Sequence, residues 1–464
     1  MHRSFLDTLP APASGDDFAQ VRRLVDAGRT KMVVLDDDPT GTQTVHGVDV
    51  LADWSAPSLA AALADPRPCF FVLTNTRSLP AAEAAARVRA IAANLSAAGA
   101  ATGVDFTVAS RSDSTLRGHF AVELEELERG LGRPIDGKIV IPAFFEGGRY
   151  TVGNVHYVAD GERLVPAAET EFARDGTFGY RHSNLAEWIE EKTGGAARAE
   201  DVAAIDLATL RRPDGADEVR RQLLALPKGA FLVVNAAAYP DLEVFVHGLL
   251  QAEAEGRRYL FRTAASFIRV RAGIEPRPLL TASEISGPGN GGGLVVVGSY
   301  VGRTTVQLES VLGLTSAAGI ELVVDRLAEP ASRAHETARV SAAAWGAMRA
   351  GRHAVVFTSR GLESAVGRAG DLGAGRVVSA SLAEIVRAIP ARPRFLVAKG
   401  GITSSDVATG GLGMHRARVL GQAAPGVPVW RMGPETRFPG LNYVVWPGNV
   451  GAPDALRDFI AALA

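Results

Sequence analysis

Hydrophobic and polar positions alternate along this chain in a regular rhythm. Short apolar runs at 32–35, 69–73, 106–109, 138–141, 231–235, 294–298, 354–357 and 394–398 carry apolar residues at consecutive positions. That is the pattern of strands buried on both faces. Between them lie longer, Ala-rich stretches at 80–98, 118–129, 216–226, 241–255, 304–312, 336–350, 381–388 and 454–463, which predict helices. Strand alternating with helix predicts an α/β fold on mainly parallel sheets flanked by helices. Two places break the rhythm. Residues 149–158 are rich in aromatic and β-branched side chains and lead to Asp160-Gly161, which predicts an antiparallel β-hairpin, a flap in the N-terminal half. Residues 285–293 are mostly glycine and precede a fresh strand, which predicts a linker. A phosphate-binding glycine loop is the competing reading of that stretch, but such a loop follows a strand rather than preceding one. The chain therefore divides into domains at 1–284 and 294–464 with 285–293 between them. Its 464 residues suit two domains, since one typically takes roughly 100–200.

Chemistry collects where the predicted strands end. The run 32–35 stops at Asp36-Asp37-Asp38-Pro39-Thr40-Gly41. In a parallel sheet, carboxylates at that end stand where ligand crevices form. A solvated turn is the plainer alternative, since Pro and Gly also suit a tight turn. Thr74 to Ser78, with Arg77, follows the second run. Arg111-Ser112-Asp113-Ser114-Thr115-Leu116-Arg117-Gly118 follows the third, and Pro142 to Gly148-Arg149 the fourth. All these ends share one sheet edge. It offers Arg77, Arg111, Arg117 and Arg149 beside acids and hydroxyls, and guanidinium groups grip carboxylate or phosphate at two points. The guest this chemistry suits is a small, acidic, hydroxyl-rich molecule. Each arginine alone can equally serve a structural ion pair, and Ser114-Thr115 can equally cap a helix.

The C-terminal half repeats a different design three times. Strands run into Gly298-Ser299, into Lys399-Gly400-Gly401-Ile402-Thr403-Ser404, and into Pro447-Gly448-Asn449-Val450-Gly451. Bare backbone N–H groups and hydroxyls at a helix start suit polyphosphate. Each is also an ordinary strand–helix connection, and none matches the G-x-x-x-x-G-K-[ST] loop.

Composition trims the options. Lys+Arg 49 against Asp+Glu 51 gives net charge −2, which argues against a nucleic-acid or membrane-surface protein. One cysteine, Cys69 in an apolar run, excludes an intrachain disulfide and a multi-cysteine metal cluster. No His/Asp/Glu spacing predicts a metal cluster, so His46, His119 and His156 read as structural, and metal ligands stay unassigned. With no signal peptide or membrane span legible, a cytoplasmic protein is expected.

Taken together, these motifs resemble the four-carbon acid sugar kinase family. Asp37-Asp38-Pro39-Thr40-Gly41 is similar to its Asp-Asp-x-Thr-Gly signature, and 113–118 to its Asp-Ser-Thr-Leu-Arg-Gly motif. Pro142-Ala143-Phe144 with Gly148-Arg149, and the three glycine turns, follow in the family's order. Asp36 stands where many relatives have Ala, and Asp175-Gly176 where many have Asp-Pro. The resemblance implies a sugar-acid-binding N-terminal domain and a nucleotide-binding C-terminal domain. It implies an ATP-dependent kinase acting with Mg²⁺ on a terminal hydroxyl of threonate, erythronate, a 3-oxo-tetronate or 3-oxo-isoapionate. Asp37 and Asp38 are then the catalytic candidates. Arg77, Arg111, Asp113, Ser114, Arg117, Gly148 and Arg149 are those for the acid, and Ser299, Gly400, Gly401, Ile402, Thr403, Ser404 and Gly448 those for ATP. The expected partner is the small-molecule acid, with a homodimer as an option and neither nucleic acid nor membrane. The rival enzyme is an aspartate-nucleophile phosphatase, because 36–40 also reads D-x-D-x-T; but the late acidic loop it needs is not legible, since Gly370-Asp371-Leu372-Gly373 lacks a second acid and Lys399-Gly400-Gly401 offers none nearby. A non-catalytic sugar-acid sensor is the third reading.

Overall fold

A computed structural model describes residues 1–12, 15–28, 30–288, 291–300, 302–359 and 372–463; Gly370-Asp371 lies outside them. These residues form two compact units, Met1–Asp37 with Asp53–Pro276, and Asp38–Ala52 with Arg277–Ala464. The chain lays down β1 (Lys31–Asp36), passes into the second unit for β2 (Asp49–Leu51), and returns for β3 (Cys69–Leu73), β4 (Phe106–Arg111) and β5 (Gly137–Ile141). A small antiparallel sheet follows, from β6 (Arg149–Val152), β7 (Val155–Asp160) and β8 (Arg163–Pro166). β9 (Ala203–Ile205), β10 (Ala230–Val234) and β11 (Tyr259–Thr263) complete the first unit. The second continues with β12 (Leu294–Val297), β13 (Ala317–Leu322), β14 (His353–Thr358), β15 (Leu396–Lys399), β16 (Arg416–Ala424), β17 (Val427–Met432) and β18 (Asn442–Trp446).

In the first unit the order is β3-β1-β4-β11-β5-β10-β9, parallel throughout. Every residue of β1, β3 and β11 is buried, as a strand covered on both faces requires. Helices Ala56–Ala64, Ala81–Thr102 and Phe120–Leu131 pack with one another, and Asp17–Ala27, Gly215–Ala225, Tyr239–Ala254 and Ala265–Arg271 make a second group. In the second unit the order is β13-β14-β12-β15-β18-β17-β16-β2. It is parallel as far as β18 and antiparallel beyond.

The fold is the α/β architecture that the rhythm predicts, and the structure adds to it. The hairpin at 149–158 gains β8 and becomes three-stranded. β11 lies between β4 and β5, yet the pattern missed it, because Arg262 interrupts its apolar run. The antiparallel strands β16 and β17 were also missed. β16 carries register shifts at Val419/Gly421 and Gln422/Ala424 and so has no clean period. Helices Asp17–Ala27, Ala56–Ala64 and Leu185–Lys192 went unread as well. The compact units divide at Pro276, before the glycine stretch. Gly292 and Gly293 are packed within the second unit. A Cβ on Gly292 would overlap the Arg352 carbonyl, and one on Gly293 the Phe395 ring.

Candidate functional site

Parallel register aligns the strand ends of the first unit. Asp36 is paired in register with Arg111, and their side chains form an ion pair at 3.2 Å. Both are buried, and Arg111 is only 3 % exposed. Asp37 follows. Arg77 clasps it through two bonds, Nη2 to Oδ1 at 2.6 Å and Nε to Oδ2 at 3.1 Å, and the Ser112 hydroxyl donates to Oδ2. Burial by itself pushes the Asp37 carboxyl up; the Arg77 guanidinium, with Arg262 and Arg111 behind it, outweighs burial and holds it below the ordinary value.

The turn after β4 carries the next charges. Arg117 Nε donates to Asp113 Oδ2 at 2.7 Å, and Arg117 Nη1 lies 3.6 Å from Asp175. Its guanidinium also stands over the Phe172 ring at 5.0 Å. Burial opposes ionisation of Asp113, but Arg117 and Arg77 hold its carboxyl far below the usual range. Leu116 in this turn has φ +69°, left-handed backbone that a branched side chain rarely adopts. Gly118 has φ +116°, and a Cβ there would meet Ser112 Oγ, Arg262 Nη2 and Asp37 Oδ2 within 3.1 Å. Ser114 is buried, and its carbonyl accepts from His156. Gly148 (φ +74°) makes the turn before β6, and Arg149 opens that strand with its guanidinium on the Gly147 carbonyl.

Two residues that the sequence did not flag hold this edge together. Glu123 accepts from Thr76 Oγ1 (2.6 Å), Ser110 Oγ (2.8 Å) and Arg262 Nη1 (2.7 Å). Arg262 also donates to the Arg117 carbonyl at 3.2 Å. The only signal was a lone Arg ending an apolar run; Glu123, on a helix, gave none.

In the second unit Val297, Lys399 and Trp446 are neighbours in register, so the three glycine turns start side by side. Gly400 N–H donates to the Trp446 carbonyl at 2.8 Å, and buried Lys399 Nζ to the Pro447 carbonyl at 3.1 Å. Thr304 Oγ1 reaches Ser299 Oγ at 3.2 Å and the Gly448 carbonyl at 3.0 Å. Gly400 has φ +113°, and a Cβ there would stand 2.9 Å from Ser299 Cβ. Ile402 is exposed, whereas Thr403 and Ser404 are buried; Ser404 Oγ donates to the Ala398 carbonyl at 2.9 Å. Asp38 belongs to this unit. Its Oδ1 accepts from Thr40 N–H at 2.9 Å, and its carboxylate lies so close over Gly401 that any Cβ there would overlap it.

The candidates thus fall into two groups. Asp37, Arg77, Asp113, Ser114, Arg117, Gly148 and Arg149 gather in the first unit, with Arg111 behind them in its pair with Asp36. Asp38 gathers with Ser299, Gly400, Gly401, Ile402 and Gly448 in the second, with Thr403 and Ser404 beneath. Among the described residues no group of three or more His, Cys, Asp or Glu side chains could hold a metal ion. No described helix is long and apolar enough to cross a membrane.

Residues 32–271 match the family described as "Sugar-binding N-terminal domain", and residues 294–456 that described as "Nucleotide-binding C-terminal domain". The chain is 29% identical over 439 residues to the 3-oxo-tetronate kinase of Methylobacterium radiotolerans, covering 90% of this chain and 96% of that one. It is 30% identical over 239 residues to the D-erythronate kinase of Heliobacterium modesticaldum, a match spanning 50% of this chain and 48% of that kinase. The crystal structure of a protein from Salmonella typhimurium LT2 superposes with a TM-score of 0.67 at 18% identity, covering 93% of this chain and 98% of that one, and so shares the fold.

Proposed function

The chain belongs to the four-carbon acid sugar kinase family, and from that premise we propose that it is an ATP-dependent kinase. Its acceptor is a terminal hydroxyl of a small sugar acid such as a tetronate, a 3-oxo-tetronate or 3-oxo-isoapionate. The observation that carries this reading is the different setting of two neighbouring carboxylates. Asp37 is buried and clasped by Arg77 and Ser112, which makes it a poor proton acceptor. Asp38 lies among the glycine turns of the second unit.

In this reading Asp38 is the catalytic residue. It orients the acceptor hydroxyl and takes its proton as the oxygen attacks phosphorus. Asp37 acts on Arg77, fixing the guanidinium that grips the acid. Arg77 and Arg117 hold the substrate carboxylate, and Asp113, Ser114, Gly148 and Arg149 frame its hydroxyls; Arg111 sets Asp36 and the β1 end behind them. Ser299 and the backbone of Gly400, Gly401, Ile402 and Gly448 suit a nucleotide, with the Asp38 carboxylate beside Gly401 at the same place. ATP supplies the phosphoryl group. Mg²⁺ typically takes one or two carboxylates and completes its shell with phosphate oxygens and water, so among the described residues the Asp38 carboxylate would suit it.

The phosphatase reading asks for a nucleophile at Asp36, which is fully buried and paired with Arg111. A coupled assay with ATP and a panel of D-erythronate, D-threonate, 3-oxo-tetronate and 3-oxo-isoapionate tests the proposal. We expect ATP-dependent phosphorylation of at least one acid. Hydrolysis of the phosphorylated acids without any forward transfer would overturn the kinase in favour of the phosphatase.

A further inference from the structure

The turn that carries Asp113 and Arg117 does not hold its own shape. Leu116 sits at φ +69°, a conformation that costs a branched residue free energy unless its surroundings impose it. Within the turn, Leu116 N–H donates to the Asp113 carbonyl at 3.1 Å, and the Thr115 hydroxyl to the Asp113 carboxylate. Two successive carbonyls remain, those of Ser114 and Thr115, and both are taken by aromatic side chains from outside it. His156 Nε2, on β7, lies 2.8 Å from the Ser114 carbonyl. Tyr180 OH lies 2.7 Å from the Thr115 carbonyl and 3.2 Å from that of Ala167. His156 is fully buried.

The chemistry fixes the direction of each bond. A carbonyl only accepts, so His156 carries its proton on Nε2. Its Nδ1 then accepts from the Thr151 hydroxyl 3.0 Å away. Burial, and secondarily Arg149, hold the ring at a pKa of about 4, so that neutral tautomer persists at ordinary pH. The small antiparallel sheet thus supplies one of the two donors to this turn.

We propose that His156 and Tyr180 are positioning residues. By donating to the Ser114 and Thr115 carbonyls they lock residues 113–118 in the strained shape that presents Arg117 to the sugar acid. This rests on the reading of that turn as the acid-binding site. His156, which the sequence offered only as a structural histidine, becomes a determinant of acid affinity. Tyr180 had no sequence signal.

The test compares wild type with Tyr180→Phe, His156→Leu and His156→Gln, using D-erythronate, D-threonate and 3-oxo-tetronate as acceptors. Losing one such bond should raise KM for the acid roughly five- to thirtyfold. KM for ATP and kcat should stay within about twofold, the signature of lost ground-state binding. His156→Gln keeps an amide donor and should fall between wild type and His156→Leu. Unchanged acid KM in both Tyr180→Phe and His156→Leu overturns the proposal. So does a fall in Tm with no split between the two KM values, because that marks a merely structural role. If wild type phosphorylates neither these three acids nor 3-oxo-isoapionate, the acid-site reading fails instead. Amide hydrogen exchange at residues 114–118 then judges the lock alone: faster exchange in Tyr180→Phe upholds it, and equal exchange overturns it.

Discussion

The two parallel sheets end in opposite ways. The first unit's strand ends are crowded with charge held largely in ion pairs: Asp36 with Arg111, Asp37 with Arg77, Asp113 with Arg117, Glu123 with Arg262. The second unit's strand ends are mostly glycine and backbone, braced by Lys399, Thr304 and Trp446. The contrast follows from what desolvation costs. A buried charge must be paired before any ligand arrives, or it would neutralise itself or unfold its surroundings. A side-chain site is therefore a network in which no member changes alone. A backbone site carries its donors on every residue and needs only that side chains keep out.

The sharpest way to break the comparison is at the peptide bond where the chain passes from one kind of edge to the other. Asp38→Asn should keep the fold and lower kcat by roughly 10²–10⁴, the scale of lost acid–base help. Asp37→Asn should act chiefly on acid KM, because it frees Arg77. Steady-state kinetics on both variants decides it. Equal losses of kcat would mean that the two carboxylates are not divided as proposed.

Next in size is the cost of opening the network. Arg77→Met leaves the Asp37 carboxylate buried without its clasp, and removing one partner of a buried pair costs about 3–5 kcal/mol. Chemical denaturation measures it. The pH dependence carries a definite sign. Asp37 and Asp113 have folded-state pKa values below the unfolded aspartate value of about 3.9, so the unfolded chain binds protons first as pH falls. Their stabilisation is fully present above about pH 5 and is lost as pH drops through their depressed values. Melting curves should show wild type losing stability below about pH 4 more steeply than Arg77→Met, whose Asp37 has lost the larger part of its depression.

The two edges were also legible to different degrees. Runs such as Cys69–Leu73 announced themselves because parallel strands are apolar at every position. β11 hid because Arg262 completes a buried charge network, so the pairing with Glu123 overrode the local pattern. The motif arginines were visible as residue types, but not in their roles. Nothing in 106–118 says that Arg111 turns to Asp36 while Arg117 reaches Asp113, since that depends on register with β1. The glycine turns were legible as turns. The reason for Gly401 was not, because the group it must admit in this structure is the Asp38 carboxylate, from a segment far away in sequence.

Arginine replacements sharpen the comparison at a smaller scale. Arg117 is partly exposed and shared between Asp113 and Asp175, whereas Arg111 is sealed against Asp36. Arg117→Ala should weaken acid binding roughly ten- to a hundredfold, the range for a charged hydrogen bond of about 1.5–3 kcal/mol, and leave ATP affinity unchanged. Arg111→Ala should instead lower stability, with acid affinity in the folded fraction nearly intact. Calorimetric titration of each ligand separates them. Reversed outcomes would put Arg111 rather than Arg117 on the acid.

The smallest effect tests whether the second edge really works through its backbone. Ser404 looks like a phosphate ligand in sequence, since it follows Gly400-Gly401-Ile402-Thr403 at the start of helix Gly401–Asp406. In the structure it is fully buried, its hydroxyl donates to the Ala398 carbonyl, and its own carbonyl accepts from Tyr443 OH at 2.7 Å. Ser404→Ala removes one hydroxyl from a packed site and leaves the Ala398 carbonyl its remaining contacts. The expected cost is about 1 kcal/mol of stability, the net worth of one buried hydrogen bond. ATP affinity should move by less than about threefold, because the groups proposed to face phosphate are the N–H groups of Gly401 and Ile402. Fluorescence titration with a nucleotide analogue, beside a melting curve, reads both numbers. A large loss of nucleotide affinity without loss of stability would show the hydroxyl itself on the phosphate, and the second unit would then bind with side chains as the first does.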